Sequence, residues 1–187
     1  MRALTFQYHG VAGRELDSAR AVAARAGVRE HRFVRVPDLK EAGDIGMKFG
    51  SRPPTYIPLR NGIFYSFAAS YAEECGAGAI VGGHNRDDEK VFDDVSSEFF
   101  GALESAFLAA SPVLKKNGVR ILRPLKDRSK PEVVRLAASI GVPLELTWSC
   151  HRDGSEHCWE CEGCIGRARS FAAAGVADPL KEGGKVT

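Results

Sequence analysis

The chain has 187 residues, with 26 basic against 24 acidic side chains for a net charge of +2, and is 44% hydrophobic and 27% charged. That is ordinary for a globular protein with a buried core, and it offers no polybasic surface for nucleic acid or membrane. The longest apolar stretches, such as residues 63–72, are far too short to span a bilayer, and the N-terminus has neither the apolar run nor the cleavage site of a signal peptide, so a cytoplasmic protein is expected.

Residues 3–8 alternate and are rich in strand formers. Arg14 to Ala26 then reads as a helix, with Leu16, Ala19, Ala23 and Ala26 on one side and Gly27 as its stop. A second strand, His31 to Val36, is closed by Pro37, and a long irregular stretch, 38–58, follows whose glycines and length allow a lid. Leu59 to Cys75 is the clearest helix; Ile63, Phe64, Phe67, Ala68, Tyr71 and Ala72 recur at helical spacing and should face a core. A short strand over 79–83, a polar loop His84 to Asp94 and a helix Ser96 to Leu114 come next. Val119 to Leu122 is a strand leading to Pro124, and Ser129-Lys130-Pro131-Glu132 opens a helix that ends at Gly141. Strands alternating with helices of this length predict βα units and a parallel sheet. Ligands of such sheets bind beyond the carboxyl ends of the strands, here near Tyr8, Pro37, Gly83–Asn85 and Pro124–Lys130.

Four of five cysteines lie within fifteen residues, spaced C-x7-C-x2-C-x2-C. An odd count and tight clustering favour metal over disulfides and a reducing compartment. Cys150, Cys158, Cys161 and Cys164 would complete a tetrahedral zinc with no open position, a structural site, with Gly163 helping the turn to bend. Gathered free thiols or an iron–sulfur cluster are the other readings, and zinc stands ahead of both. His151 and His157 flank the ligands and read as solvated loop residues or a replacement for one cysteine, and Cys75 as a buried small hydrophobe.

The run Leu146-Thr147-Trp148-Ser149-Cys150, the segment Cys158-Trp159-Glu160-Cys161-Glu162-Gly163-Cys164, and Arg167-Ala168-Arg169-Ser170-Phe171 with Gly175 resemble the C-terminal signature of the 7-cyano-7-deazaguanine synthase (QueC) family. Upstream, Thr55-Tyr56-Ile57-Pro58-Leu59-Arg60-Asn61, Ile80 to Asn85 with Asp88, and Pro124-Leu125 with Ser129-Lys130-Pro131-Glu132 are similar to that family's motifs in the same order. The resemblance implies a three-layer parallel α/β sheet with helices on both faces, the adenine nucleotide alpha hydrolase-like (PP-loop) fold. It divides the chain into 1–145, an incomplete nucleotide-binding domain; 146–177, a zinc element of the same domain; and 178–187, a mobile tail. It further implies a ligase that adenylates a carboxylate with ATP and Mg, turning 7-carboxy-7-deazaguanine and ammonia into an amide and then the nitrile, a precursor of queuosine and archaeosine.

Within that resemblance Lys130 is the candidate catalytic cation beside a helix dipole, its plain alternative an exposed helix lysine. Tyr8, Tyr56, Arg60, Asn61, Gly83, Asn85 and Asp88 are candidate substrate- or nucleotide-binding residues. Arg60 and Asn61 suit a carboxylate or purine-like edge, or merely cap the helix; Asn85 and Asp88 contact ligand or make an Asx turn. The family's first strand and its Ser-Gly-Gly-x-Asp-Ser pyrophosphate loop have no counterpart in residues 1–187, so the expectation is a sequence truncated at its N-terminus, a partner polypeptide that supplies the piece, or a chain that has lost ATP chemistry; a homodimer or such a partner is expected. Where the family has Asp-Tyr-Gly-Gln this chain has Gln7-Tyr8-His9-Gly10, and where it has Tyr-Pro-Asp-Cys-Arg this chain has Phe92-Asp93-Asp94-Val95-Ser96. The lost arginine leaves a paralogue acting on another carboxylate as one alternative, and the missing loop leaves a non-catalytic zinc-stabilised binding subunit as another.

Overall fold

The structure, a computed structural model, describes residues 1–39 and 56–181. Most of the long irregular stretch, with its lid, and residues 182–187 of the tail lie outside the described residues. In chain order the elements are β1 (Arg2–Tyr8), α1 (Gly13–Arg25), β2 (Glu30–Val36), α2 (Arg60–Cys75), β3 (Ala79–Val81), α3 (Arg86–Glu89), α4 (Ser97–Ala110), α5 (Pro112–Asn117), β4 (Arg120–Leu122), α6 (Lys130–Ser139) and α7 (Glu162–Ala174). They fall into two compact units, one of residues 1–40 with 130–187 and one of 41–129. The boundaries expected at 145/146 and 177/178 both lie inside the first.

In the first unit β1 and β2 pair in parallel from Arg2 opposite Glu30 to Tyr8 opposite Val36. The crossover between them is α1, which buries Leu16 and Ala23 and stops at Gly27, a position at φ +65° that glycine adopts without strain. Ala12 cannot cap α1 with a side chain, so its first N–H groups need partners from elsewhere. They find one in the cysteine segment, where Asp153 Oδ1 accepts the Gly13 N–H at 2.6 Å. Arg14 donates to the Ser155 carbonyl at 3.1 Å, and the Ser18 hydroxyl to that of Leu146. The cysteine element is thus fastened to α1.

In the second unit β3 and β4 pair in parallel, Ala79 opposite Arg120 and Val81 opposite Leu122. The helix expected over 96–114 is two helices. Pro112 has no N–H to continue α4, and Ser111 restarts the chain as α5 by accepting the Leu114 N–H at 3.1 Å. In α2 Ala72 is buried as expected, but the other buried positions are Asn61, Tyr65 and Ala69, one step round the helix from the expected face, and Phe67 is 44% exposed. Apolar residues occur on most sides of α2, so their spacing alone does not single out the buried face. Ala69 and Ala72 pack with Leu114 and Val119, and Tyr65 packs with Val95 and Phe100.

The chain is therefore an α/β protein with parallel strands, but the single sheet expected from the sequence is not what the described residues form. They make two two-stranded ladders, β1–β2 and β3–β4. Each pairs strands joined by its own helical crossover. Among the described residues no helix is long and apolar enough to cross a membrane.

Candidate metal centre and ligand site

The Sγ atoms of Cys150, Cys158, Cys161 and Cys164 all lie within 4.8 Å of one another, and the Cys158–Cys164 and Cys150–Cys161 pairs are each 3.9 Å apart. A tetrahedron with metal–sulfur bonds of about 2.3 Å has edges of about 3.8 Å, so this group could hold a metal ion of zinc's preference. Backbone N–H groups point at the sulfurs: Arg152 at Cys150 (3.4 Å), Cys161 at Cys158 (3.4 Å) and His151 at Cys161 (3.5 Å). Burial pushes the Cys164 thiol up to about 12. Burial also opposes ionisation of Cys161, but the N–H donors of His151 and Cys164 outweigh it and bring that thiol down to about 6. Cys158 is lowered as well, by the N–H groups of Glu160 and Cys161. A buried thiol that resists ionisation beside two that favour it is a donor set that a dication completes.

Gly163 serves the site differently from what its place in the motif suggests. It lies inside α7, and a Cβ there would come within 2.0 Å of the Ser149 carbonyl oxygen. It permits close approach of the segment before Cys150 to the helix carrying Cys164. Gly163→Ala is expected to destabilise the protein by about 1–3 kcal/mol, the usual cost of overpacking, and to lower bound metal per chain in elemental analysis. His157 is also corrected: it is 8% exposed, not solvated, and not a ligand. Its ring lies between Trp148 (4.3 Å) and Trp159 (5.3 Å), and its Nε2 accepts the Ser149 N–H at 3.1 Å. His151 is exposed as expected, and Cys75, half-buried, stands apart from the cluster. These rings wall a cavity of about 580 Å³ against α1, but the Trp148 and Trp159 faces already meet Arg14 and Lys181, and no candidate binding residue lines it.

The second unit gathers a charged group at the carboxyl end of β3. His84 follows Gly82 and Gly83 there, and its imidazole is held below the ordinary histidine value by burial and by Arg123 and Arg60, against the opposing pull of Asp88 and Asp94. Four charged side chains thus face one neutral imidazole. Asp94 accepts the Asn61 N–H at 3.1 Å, so the free amide at the start of α2 is met by a carboxylate from across the unit. Tyr65, whose phenol burial pushes up to about 12, packs edge-on against Phe100. A Cβ on Gly82 would fall 1.7 Å from the Tyr65 hydroxyl oxygen, whereas one on Gly83 would meet nothing. Beside this group opens a cavity of about 440 Å³ lined by Tyr56, Leu59, Asp93, Asp94, Glu98 and Phe99. Leu59, just before α2, is in the left-handed region at φ +52°. Guanidinium groups and carboxylates gathered about one imidazole offer partners for a ligand bearing both an acid group and N–H donors.

Of the candidate residues, Tyr56, Arg60, Asn61, Gly83, Asn85 and Asp88 belong to this second unit. Asn85 and Asp88 form a capping box for α3: the Asn85 Oδ1 accepts the Asp87 and Asp88 N–H groups, and Asp88 Oδ2 accepts the Asn85 N–H and Nδ2. Lys130, exposed at the start of α6, Tyr8, half-buried at the end of β1, and the cysteines belong to the first unit. Sequence reasoning missed Tyr65, His84, Asp94 and Arg123. The strand-end rule already pointed to two of them, since His84 follows β3 and Arg123 follows β4.

Parallel βα units and a four-cysteine element define an α/β protein with a C-terminal segment that could hold a metal ion. A family model described as "Queuosine biosynthesis protein QueC" matches residues 1–175. Among curated proteins the chain is 34% identical to a 7-cyano-7-deazaguanine synthase of Thermoplasma acidophilum, across 97% of this chain and 81% of that one. It is 35% identical to that of Methanosarcina barkeri (96% and 86%) and to 7-cyano-7-deazaguanine synthase 2 of Desulfitobacterium hafniense (95% and 80%). The chain belongs to the QueC family.

Proposed function

We propose that the protein is an ATP-dependent carbon–nitrogen ligase that converts 7-carboxy-7-deazaguanine and ammonia to 7-cyano-7-deazaguanine, in the supply of queuosine and archaeosine precursors. The observation that carries this is an identity of 34–35% over 95–97% of the chain to proteins named for that product. In this reading the carboxylate is adenylated by ATP with its Mg and pyrophosphate leaves. Ammonia then displaces AMP to give the amide. The amide oxygen is adenylated by a second ATP and leaves as AMP, with loss of the nitrogen's protons, to give the nitrile. In the same reading Lys130 is the cation that meets the departing pyrophosphate charge, and Tyr8, Tyr56, Arg60, Asn61, Gly83, Asn85 and Asp88 are the residues that bind substrate or nucleotide. The four cysteines hold zinc, which with four thiolates has no position left for substrate and is structural. The single three-layer sheet of the PP-loop fold belongs to the same reading, as does association of two copies or with a partner polypeptide through sheet edges.

The test is pyrophosphate release by protein expressed from the full reading frame, with ATP, ammonia and 7-carboxy-7-deazaguanine, and mass spectrometry of the product. Release with appearance of the nitrile is expected. Release with a different acid only would overturn the substrate and keep the reaction class; no release with any carboxylate would overturn both.

A further inference from the structure

Arg123 directly follows β4, whose last residue, Leu122, accepts the Gly82 N–H at 3.0 Å, so this arginine stands at the strand ends beside His84. Its guanidinium is fixed on two sides. Nη1 donates to the Val95 carbonyl at 3.0 Å and Nη2 to the Ser97 hydroxyl at 3.0 Å, with the plane 4.8 Å over the Phe100 ring. The two bonds straddle Ser96.

We propose that Arg123 is the specificity residue that receives the substrate's carboxylate; this rests on the deazapurine reading above. The guanidinium has five N–H donors, and two are used. Among the described residues it has no carboxylate partner: Glu104 is taken by Arg120, and the contacts of Arg123 are a carbonyl, a hydroxyl and a ring face. A half-buried cation held in a fixed orientation without a counter-ion is prepared for an anion from outside. The surroundings favour the same orientation. Asp93, Asp94 and Glu98 line the neighbouring cavity and repel an acid group, yet suit the N–H donors of a 2-aminopyrimidinone edge. Arg60 also faces His84 but is held by no comparable pair of bonds, so its fork is less pre-organised.

The experiment is calorimetric titration of the protein with 7-carboxy-7-deazaguanine and, separately, with the uncharged 7-amide, neither of which needs ATP. Arg123→Gln, which keeps donors and removes the charge, is expected to weaken the acid by about 100-fold and the amide by less than about threefold. Arg123→Lys, which keeps the charge without the fork, should fall between, at about tenfold for the acid. Equal weakening of both ligands would make Arg123 a support of the fold and overturn the proposal. So would an unchanged acid affinity, or an acid-selective loss in Arg60→Gln alone. If the unmutated protein binds neither ligand, the deazapurine reading itself falls, an outcome distinct from any produced by the Arg123 variants.

Discussion

Stripping the metal from the four cysteines is expected to lower the melting temperature by more than about 10 °C. The sulfurs are close enough for a dication to hold but too close for four thiolates without one, so the metal-free site must keep thiols protonated or open. Opening spreads, because the loop between Cys150 and Cys158 carries Asp153 and Ser155, the partners of Gly13 and Arg14 at the start of α1. Structural zinc contributes roughly 10–16 kcal/mol in peptides that have no other core. Here α1, β1 and β2 retain core of their own, so a part of that is expected, at about 2–4 °C per kcal/mol for a chain of this size. The measurement is scanning calorimetry with and without chelator, with metal quantified in both samples; an unchanged transition after proven removal would end the structural role. Cys161 also sets a pH window. Its thiol is lowered to about 6, so below that pH one more ligand competes with protons and metal affinity should fall more steeply.

The cysteine cluster was legible because its information is local: four ligands in fifteen residues leave few ways to fold. The βα order was legible for a similar reason, with Gly27 and the Ser111–Pro112 step both written as punctuation, although the second was read through as one helix. What was not legible depends on contacts distant in sequence. Asn61 and Asp94 meet across 33 residues, and nothing near either announces the other. The buried face of α2 was misread because the helix is apolar on most sides. Gly163 looked like a turn glycine and is instead a helical residue under a carbonyl; only the approach of Ser149 shows why it is small. Arg123 reaches Val95 and Ser97 across 28 and 26 residues, from a strand end whose importance was general rather than residue-specific.

Asp178→Ala is expected to cost about 3–5 kcal/mol, because it leaves a buried guanidinium without its counter-ion. The tail was expected to be mobile from this residue on, but Asp178 is fixed. Arg167 Nε and Nη2 donate to its two carboxylate oxygens at 2.7 Å each, and the side chains are only 4% and 5% exposed. The same guanidinium donates to the Thr147 hydroxyl at 2.6 Å and the Leu144 carbonyl at 3.2 Å, so one side chain of α7 ties together the segment before Cys150 and the segment after the helix. A surface ion pair would contribute at most about 1 kcal/mol; this one is removed from water, and breaking it strands a charge. Replacing both partners, as in Arg167→Met with Asp178→Leu, should therefore cost less than Asp178→Ala alone, which denaturant titration of the three proteins would decide. Burial by itself would raise the Asp178 carboxyl, but the Arg167 hydrogen bonds and the Leu180 N–H outweigh it and hold it below the ordinary aspartate range. Its contribution is then fully present above an unfolded value of about 3.9 and lost as pH falls through the lower folded value. The unmutated protein should lose stability relative to Asp178→Ala across that acid window, the gap between the two closing as pH drops. A gap of less than 1 kcal/mol at neutral pH would mean that the pair is a surface contact after all and that the end of α7 is held by packing alone.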